Sequence, residues 1–374
     1  MTATVTRHQA LDLGLRDVQA GAYTVPTDAP EADGTLAWDS TTLVLVQLRA
    51  GDTVGTGWTY GPASCVDVVS RRLAPVVRGR DALDVTAGYL AMTAAVRNDG
   101  RPGLVSMAIS AVETAWWDLK ARLLGLPLHR LLGAVRHQVP VYGSGGFTTY
   151  DDARLAAQLR GWVSRGIPRV KIKIGEDHGR RVDRDVARIR QARKAIGAGT
   201  ELYVDANGGY GTKQAVRVLD EVRDQDVRWY EEPVSSDDLA GLRRVRDAVP
   251  ADVTAGEYGY TLGYFASMLD AQAVDCLQVD VSRCGGFTEW LRVAAVAAAH
   301  HVDVSGHCAP HLHLAVAATT PNLRHLEWFH DHVRIEQLLF DGAQAADGGV
   351  LQPLDAPGHG LEWRAADAGR YRVA

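Results

Sequence analysis

From about residue 139 the chain repeats one pattern eight times, a short β-branched run followed by a stretch long enough for a helix, and this repetition narrows its possible folds more than any other feature. The runs read VPVY, RVKIKI, ELYVDA, VRWYEE, DVTAGE, DCLQVD, VDVSGH and RHLEWF. Segments between them, such as 151–165 and 180–196, carry apolar residues at helical spacing. Strands joined through helices run parallel with right-handed crossovers. Eight such units suit an α/β fold of the closed (β/α)8 TIM-type barrel better than an open, doubly wound sheet. No Gly-x-Gly-x-x-Gly follows these strands, which weakens the dinucleotide-binding alternative.

Residues 1–135 follow a different grammar. An alternating opening over 10–18 and the strand-like TTLVLVQLRA from Thr41 precede GDTVGTGW, which reads as the turn and second arm of a hairpin. Helices are predicted over 64–77, 83–96 and 104–124, the last ending at Gly125 ahead of Leu126 and Pro127. The expectation is an N-terminal α+β domain over 1–135 and a barrel over 136–330. Residues 331–374 are expected to hold no further βα unit and, with Pro353, Pro357 and several glycines, to return to the first domain. The stretch TVPTDAPEADGTL (24–36) lacks periodicity and predicts a mobile surface loop.

Composition excludes several classes of function. With 46% hydrophobic and 23% charged residues in 374, the chain has the balance of a two-domain globular protein. Forty Lys+Arg against forty-five Asp+Glu give a net charge of −5 and leave no basic block to neutralise phosphates, so nucleic acid is a poor partner. Apolar stretches such as 293–299 fall far short of the roughly 20 residues of a membrane span, and MTATVTRHQA lacks a signal core, so a cytoplasmic protein is expected. Cys65, Cys276, Cys284 and Cys308 form no Cys-x-x-Cys pair and are read as packing residues.

Active sites of such barrels form at the C-terminal ends of the strands. The last polar residues there run Lys171 and Lys173, Asp205, Glu231, Glu257, Asp280, His307 and Glu327. Strand alternation puts Lys171 and Lys173 on one face. Asp205, Glu231 and Glu257 are each 26 residues apart at successive strand ends, where their like charges demand a counterion. A divalent cation supplies one, and all-oxygen ligation suits Mg²⁺, with Mn²⁺ as the alternative. Pairing of each acid with a barrel lysine or arginine is the bland reading. A zinc site on His307, Cys308, His311 and His313 is another, less suited to a carboxylate triad.

Taken in order, KIKIG, VDANGGY, WYEEP, AGE, QVDVSRCGG, SGH and LEW, with the helix SAVETAWWDLKARLLGLPLHRLLG, resemble the enolase superfamily and within it the mandelate racemase subgroup. The resemblance covers essentially the whole chain. It implies an N-terminal capping domain, Mg²⁺ held by Asp205, Glu231 and Glu257 with Glu232 outside the ligand set, and a substrate carboxylate bound to that metal. Removal of the α-proton then gives an enediolate, whose charge the metal and nearby donors stabilise. It further implies Lys173 as one acid/base, its pKa lowered by Lys171 and the metal, and Lys171 as the group neutralising a substrate oxygen. His307 is implied as the second acid/base, with Asp280 fixing its tautomer, and Glu327 as a protonated donor to the enediolate.

These groups permit dehydration or racemisation from one intermediate. In this subgroup they occur most often in sugar-acid dehydratases, so dehydration of a monocarboxylic sugar acid to a 2-keto-3-deoxy acid is the expected reaction. Racemisation or epimerisation of a 2-hydroxy acid is the alternative, and a noncatalytic metal-dependent sugar-acid binder the alternative of another class. Specificity is expected from 20–38 and 57–62, with Tyr23, Trp38, Trp58 and Tyr60 as contacts. Asn207 is a further polar candidate and Arg283 a support beside Asp280. The first loop carries Asp28, Glu31 and Asp33 but no Lys or Arg, which disfavours a second substrate carboxylate. Family members commonly form homo-oligomers, dimers or octamers.

Overall fold

The structure, a computed structural model, describes residues 13–374. Of the predicted opening strand, residues 10–12 lie outside this range, and the first strand begins later, as β1 (Asp17–Ala32). It pairs antiparallel with β2 (Ala37–Ala50), which pairs with β3 (Thr53–Tyr60). The run LVLV in β2 is apolar on both faces because both are covered. Val44, Val46 and Leu48 pack with the helix Leu104–Leu123, while Leu43 and Leu45 join Trp58 and Tyr60 in the core shared with the barrel. Gly57 permits the first contact: a Cβ there would stand 2.3 Å from Ala115 N.

The segment 24–36 is not a mobile loop. β1 pairs with β2 as far as Pro26↔Ser40, breaks register, and resumes at Glu31↔Trp38 and Ala32↔Ala37, leaving only 33–36 as the turn. Prolines are tolerated because β1 is an edge strand and the irregularity absorbs them. The tip is tied to the barrel: Thr148 Oγ1 donates to Asp33 O (2.8 Å), and His178 N donates to Gly34 O (2.9 Å).

Glu31 is fully buried in this hairpin, bonded by Trp38 Nε1 at 2.9 Å. Burial and the nearby Asp331 push its pKa from 4.5 up to about 8. Because the folded pKa lies above the unfolded one, Glu31 costs stability progressively as pH rises from about 4.5 to about 8. Glu31→Gln therefore raises Tm relative to the native chain by an increment that grows from pH 5 to 8; an increment independent of pH, read by thermal melts, refutes this account.

Eight parallel strands close the barrel: β4 (Val139–Gly145), β5 (Arg169–Lys173), β6 (Glu201–Asp205), β7 (Val227–Glu231), β8 (Asp252–Ala255), β9 (Cys276–Val279), β10 (Asp303–Gly306) and β11 (Leu323–Phe329). Pairing of β11 with β4, from Leu326↔Val141 to Phe329↔Ser144, completes the ring. Tyr142, Tyr203, Trp229 and Cys276 fill the interior below the mouth.

Past residue 330 the structure departs from expectation, since helix His330–Leu339 follows β11 as an eighth βα unit. The chain then lays Val350–Leu351 antiparallel on β4, and Ala22 N donates to Ala374 O at 2.9 Å on the cap sheet.

Candidate active site

Register assembles the charged residues. The pairs Lys173↔Asp205 and Asp205↔Glu231 set three side chains level across β5, β6 and β7 at the strand ends. Glu257 lies two residues past β8, beyond Gly256 at φ 135°, a backbone conformation that suits glycine. Oxygens of Asp205, Glu231 and Glu257 come within 4.8 Å of one another, and all three residues are buried.

The two lysines differ in what they reach. Lys173 pairs with Asp205 and lines the mouth cavity, whereas Lys171 is fully buried, with its Nζ 2.6 Å from Glu231 Oε1, 2.7 Å from Glu327 Oε1 and 3.5 Å from Asp205 Oδ2. Lys171 is thus paired with three carboxylates and lies beneath the cavity lining. Burial and Lys171 push the pKa of Lys173 down, but the charge of Asp205, itself a member of the carboxylate triad, outweighs them and raises it above its ordinary value.

His307 and Asp280 meet as a pair, Nδ1 to Oδ2 at 2.8 Å. Asp280 also accepts from Ser282 N and Oγ, each at 2.7 Å. Burial raises its pKa, yet His307 and Arg283 together hold it below the usual carboxylate range. An ionised Asp280 accepts a hydrogen bond from Nδ1–H and leaves Nε2 as the face directed at Cys308 Sγ (3.3 Å), Glu257 Oε2 (3.5 Å) and Glu327 Oε2 (3.8 Å).

Glu327, expected to be protonated beside a metal-bound substrate, is surrounded by donors: Ser144 Oγ at 2.6 Å, Lys171 Nζ at 2.7 Å and Cys308 N at 2.9 Å. Burial alone would raise its pKa, but Lys171 and His307 hold it well below the usual range. Glu232 behaves oppositely: burial and Glu257 push it well up.

The mouth encloses a cavity of about 320 Å³ lined from the barrel by Lys173, Asn207, Glu257, Arg283, His307 and Glu327, and from the cap by Trp38 and Tyr60 among others. Arg283 Nη1 lies 3.1 Å from Glu257 O and its Nε 3.5 Å from Asp280 Oδ2, bridging the two strand ends. Two predicted contacts fall outside. Trp58 is fully buried against Phe340 and donates to Glu336, and Tyr23 packs on Trp363 at 4.9 Å. Trp58 shares Tyr60's face but sits one pair further from the mouth.

The sequence reading missed Tyr258, Phe329 and His332 on the wall. Tyr258 directly follows Glu257, so extending the strand-end rule by one residue finds it. His332 stacks on Tyr60 at 3.4 Å and belongs to the helix after β11 that was not expected. The zinc quartet of the sequence reading does not assemble: His311 bonds Glu336 and Gln344 O, and His313 bonds Val281 N and Ala309 O.

This site sits on a recognised scaffold. A family model described as "Enolase C-terminal domain-like" matches residues 154–368, and one for the "Mandelate racemase / muconate lactonizing enzyme, N-terminal domain" matches residues 20–133. The chain belongs to the enolase superfamily. A solved mandelate racemase/muconate lactonizing enzyme-like protein from Rubrobacter xylanophilus is 48% identical, with a TM-score of 0.93 over 96% of this chain and 100% of that one. The D-galactarolactone cycloisomerase of Agrobacterium fabrum is 30% identical over 90% of this chain and 92% of its own length. A racemase from Streptomyces coelicolor A3(2), solved with bound magnesium, is 28% identical with a TM-score of 0.90, covering 96% of this chain and 100% of its own. Other superfamily relatives, 26–29% identical, are named as L-talarate/galactarate, arabinonate and D-gluconate dehydratases and an L-Ala-D/L-Glu epimerase. This part of the enolase superfamily is one of enzymes acting as lyases and isomerases.

The donor set fits a hard divalent cation. Three carboxylates converge, and Glu257 Oε2 is buried without a hydrogen-bond partner, as are Glu232 Oε1 and Asn207 Oδ1 close by in the sequence. Buried oxygens left unpaired at one place are what an ion or its water shell satisfies.

Proposed function

We propose that the protein abstracts the proton α to the carboxylate of a monocarboxylic sugar acid and expels the β-hydroxyl, giving a 2-keto-3-deoxy acid. Mg²⁺ held by Asp205, Glu231 and Glu257 would supply positive charge where the second negative charge of the enediolate develops. His307, fixed by Asp280 with Nε2 free, carries the proton at the α-carbon or delivers it to the departing hydroxide. Lys173 is the second acid/base, on a strand three steps from that of His307 around the barrel. Glu327 positions His307 and Cys308, and Lys171 balances Glu231 and Glu327.

The choice of a monoacid rests on the cap side of the cavity. Asp33, Trp38, Ser40, Thr41 and Tyr60 line it, and among the described residues no lysine or arginine of the cap does. Hydroxyls and aromatics suit a polyol; a distal carboxylate needs a cation there. Two arginines are alternative sources of charge: Arg180 is 70% exposed and pairs with Asp177 outside the cavity lining, whereas Arg283 lines the cavity from the barrel side, where Glu257 Oε1 (3.4 Å) and Asp280 Oδ2 (3.5 Å) already balance it. His332 does not supply it, because burial and His307 hold its pKa well below 6.5.

Proton NMR in D₂O with Mg²⁺ against mono- and diacid sugars tests the reading. A 2-keto-3-deoxy product from a monoacid is expected. Efficient turnover of galactarate or glucarate sinks the monoacid assignment, and α-deuteration without elimination favours racemisation, which two acid/base groups on separate strands also allow.

A further inference from the structure

Beside the carboxylate triad, the cavity wall holds a second set of ligand atoms of different chemistry. His307 Nε2 and Cys308 Sγ are 3.3 Å apart, Cys308 Sγ and Glu327 Oε2 3.4 Å, and His307 Nε2 and Glu327 Oε2 3.8 Å. A tetrahedral zinc ion, with Zn–S of about 2.3 Å and Zn–N and Zn–O of about 2.0–2.2 Å, holds its ligand atoms about 3.4–3.6 Å apart. The three residues are 5%, 4% and 1% exposed, and all three line the cavity, so a fourth position opens on the mouth.

The surroundings prepare these atoms to bind a metal. A metal-ligating histidine almost always donates its other ring N–H to a carboxylate or carbonyl, and His307 Nδ1 is paired with Asp280 Oδ2. Glu327 has its other oxygen, Oε1, held by Ser144 and Lys171, while Oε2 accepts from Cys308 N at 2.9 Å and keeps a second lone pair on the cysteine side. The set abuts the carboxylate triad, since Glu257 Oε2 lies 3.5 Å from His307 Nε2.

We propose that Zn²⁺ binds to His307 Nε2, Cys308 Sγ and Glu327 Oε2, at a site beside the Mg²⁺ triad and separate from it in preference. Thiolate and imidazole select the softer ion, while the all-oxygen triad selects the harder. Binding breaks the Cys308 S–H bond, forms Zn–S, and releases one proton to solvent. The consequence for activity rests on the proposed role of His307: zinc occupies its Nε2 and removes the acid/base, making the enzyme zinc-inhibited with Mg²⁺ in place.

The probe is Co²⁺ added to Mg²⁺-saturated protein, followed by Zn²⁺ competition. One Co²⁺ per chain with thiolate-to-cobalt charge-transfer absorption is expected, bleached by Zn²⁺ and lost in Cys308→Ser, whose Zn²⁺ affinity falls by at least about 100-fold. Asp280→Asn, which keeps the three ligands, retains the band with affinity weakened by about 10–100-fold. Absence of the band in the native protein, or its persistence in Cys308→Ser, overturns the site. If the band behaves as expected but Zn²⁺ leaves α-proton exchange untouched, the zinc site stands and the catalytic reading of His307 fails.

Discussion

Replacing His307 with asparagine slows exchange of the substrate α-proton with D₂O by about 10²–10⁴-fold, the usual contribution of a positioned acid/base. Asparagine keeps a donor toward Asp280 and removes only the second nitrogen, so the variant isolates Nε2 from the packing around it. Asp280 retains Ser282 N and Oγ as donors, and neither residue is a member of the carboxylate triad. The loss therefore falls on kcat with KM and Mg²⁺ binding little changed. Lys173→Ala is the less clean experiment, since it strips a buried Asp205 of its ion-pair partner and perturbs the ligand set. Exchange at the native rate in His307→Asn would assign the proton to another group. No exchange in the native protein on any sugar acid would favour the noncatalytic binder.

Much of this arrangement was legible because barrel strands are short, buried and β-branched, and because the strand-end rule turns eight sequence positions into one ring. The acids at 205, 231 and 257 needed no structure to be grouped. What escaped was set by contacts that sequence periodicity does not encode. The hairpin at 24–36 hid behind two prolines that an edge strand tolerates. The helix His330–Leu339 buries Asp331, His332 and Glu336 along with its apolar residues, so no clean apolar stripe announces it. Charge states lie further from the sequence for a related reason: the pKa values of Lys171, Lys173 and Glu327 are each set by partners on other strands. Strand order sets who those partners are, and side-chain length sets which oxygen each reaches.

The triad makes the second large prediction, that Asp205→Asn and Glu257→Gln each weaken Mg²⁺ binding by on the order of 100-fold or more, since each removes a unit charge from an oxygen-only site. The two variants separate metal loss from fold loss. Asp205 is fully buried and paired with both Lys173 and Lys171, so its neutralisation leaves buried cations under-compensated and lowers Tm even without Mg²⁺. Glu257 carries an oxygen with no partner, and its charge is the leading electrostatic reason that Glu232 is pushed up. Glu257→Gln therefore leaves Tm without Mg²⁺ unchanged or raises it. Ligand linkage gives the readout: at a Mg²⁺ concentration 100 times Kd the native protein gains about 2.7 kcal/mol, whereas a variant binding 100-fold more weakly gains about 0.4 kcal/mol at that concentration. Thermal melts with and without Mg²⁺ measure both quantities. A native-sized Mg²⁺ increment in Glu257→Gln removes Glu257 from the ligand set, and the same result in both variants removes the metal from this site.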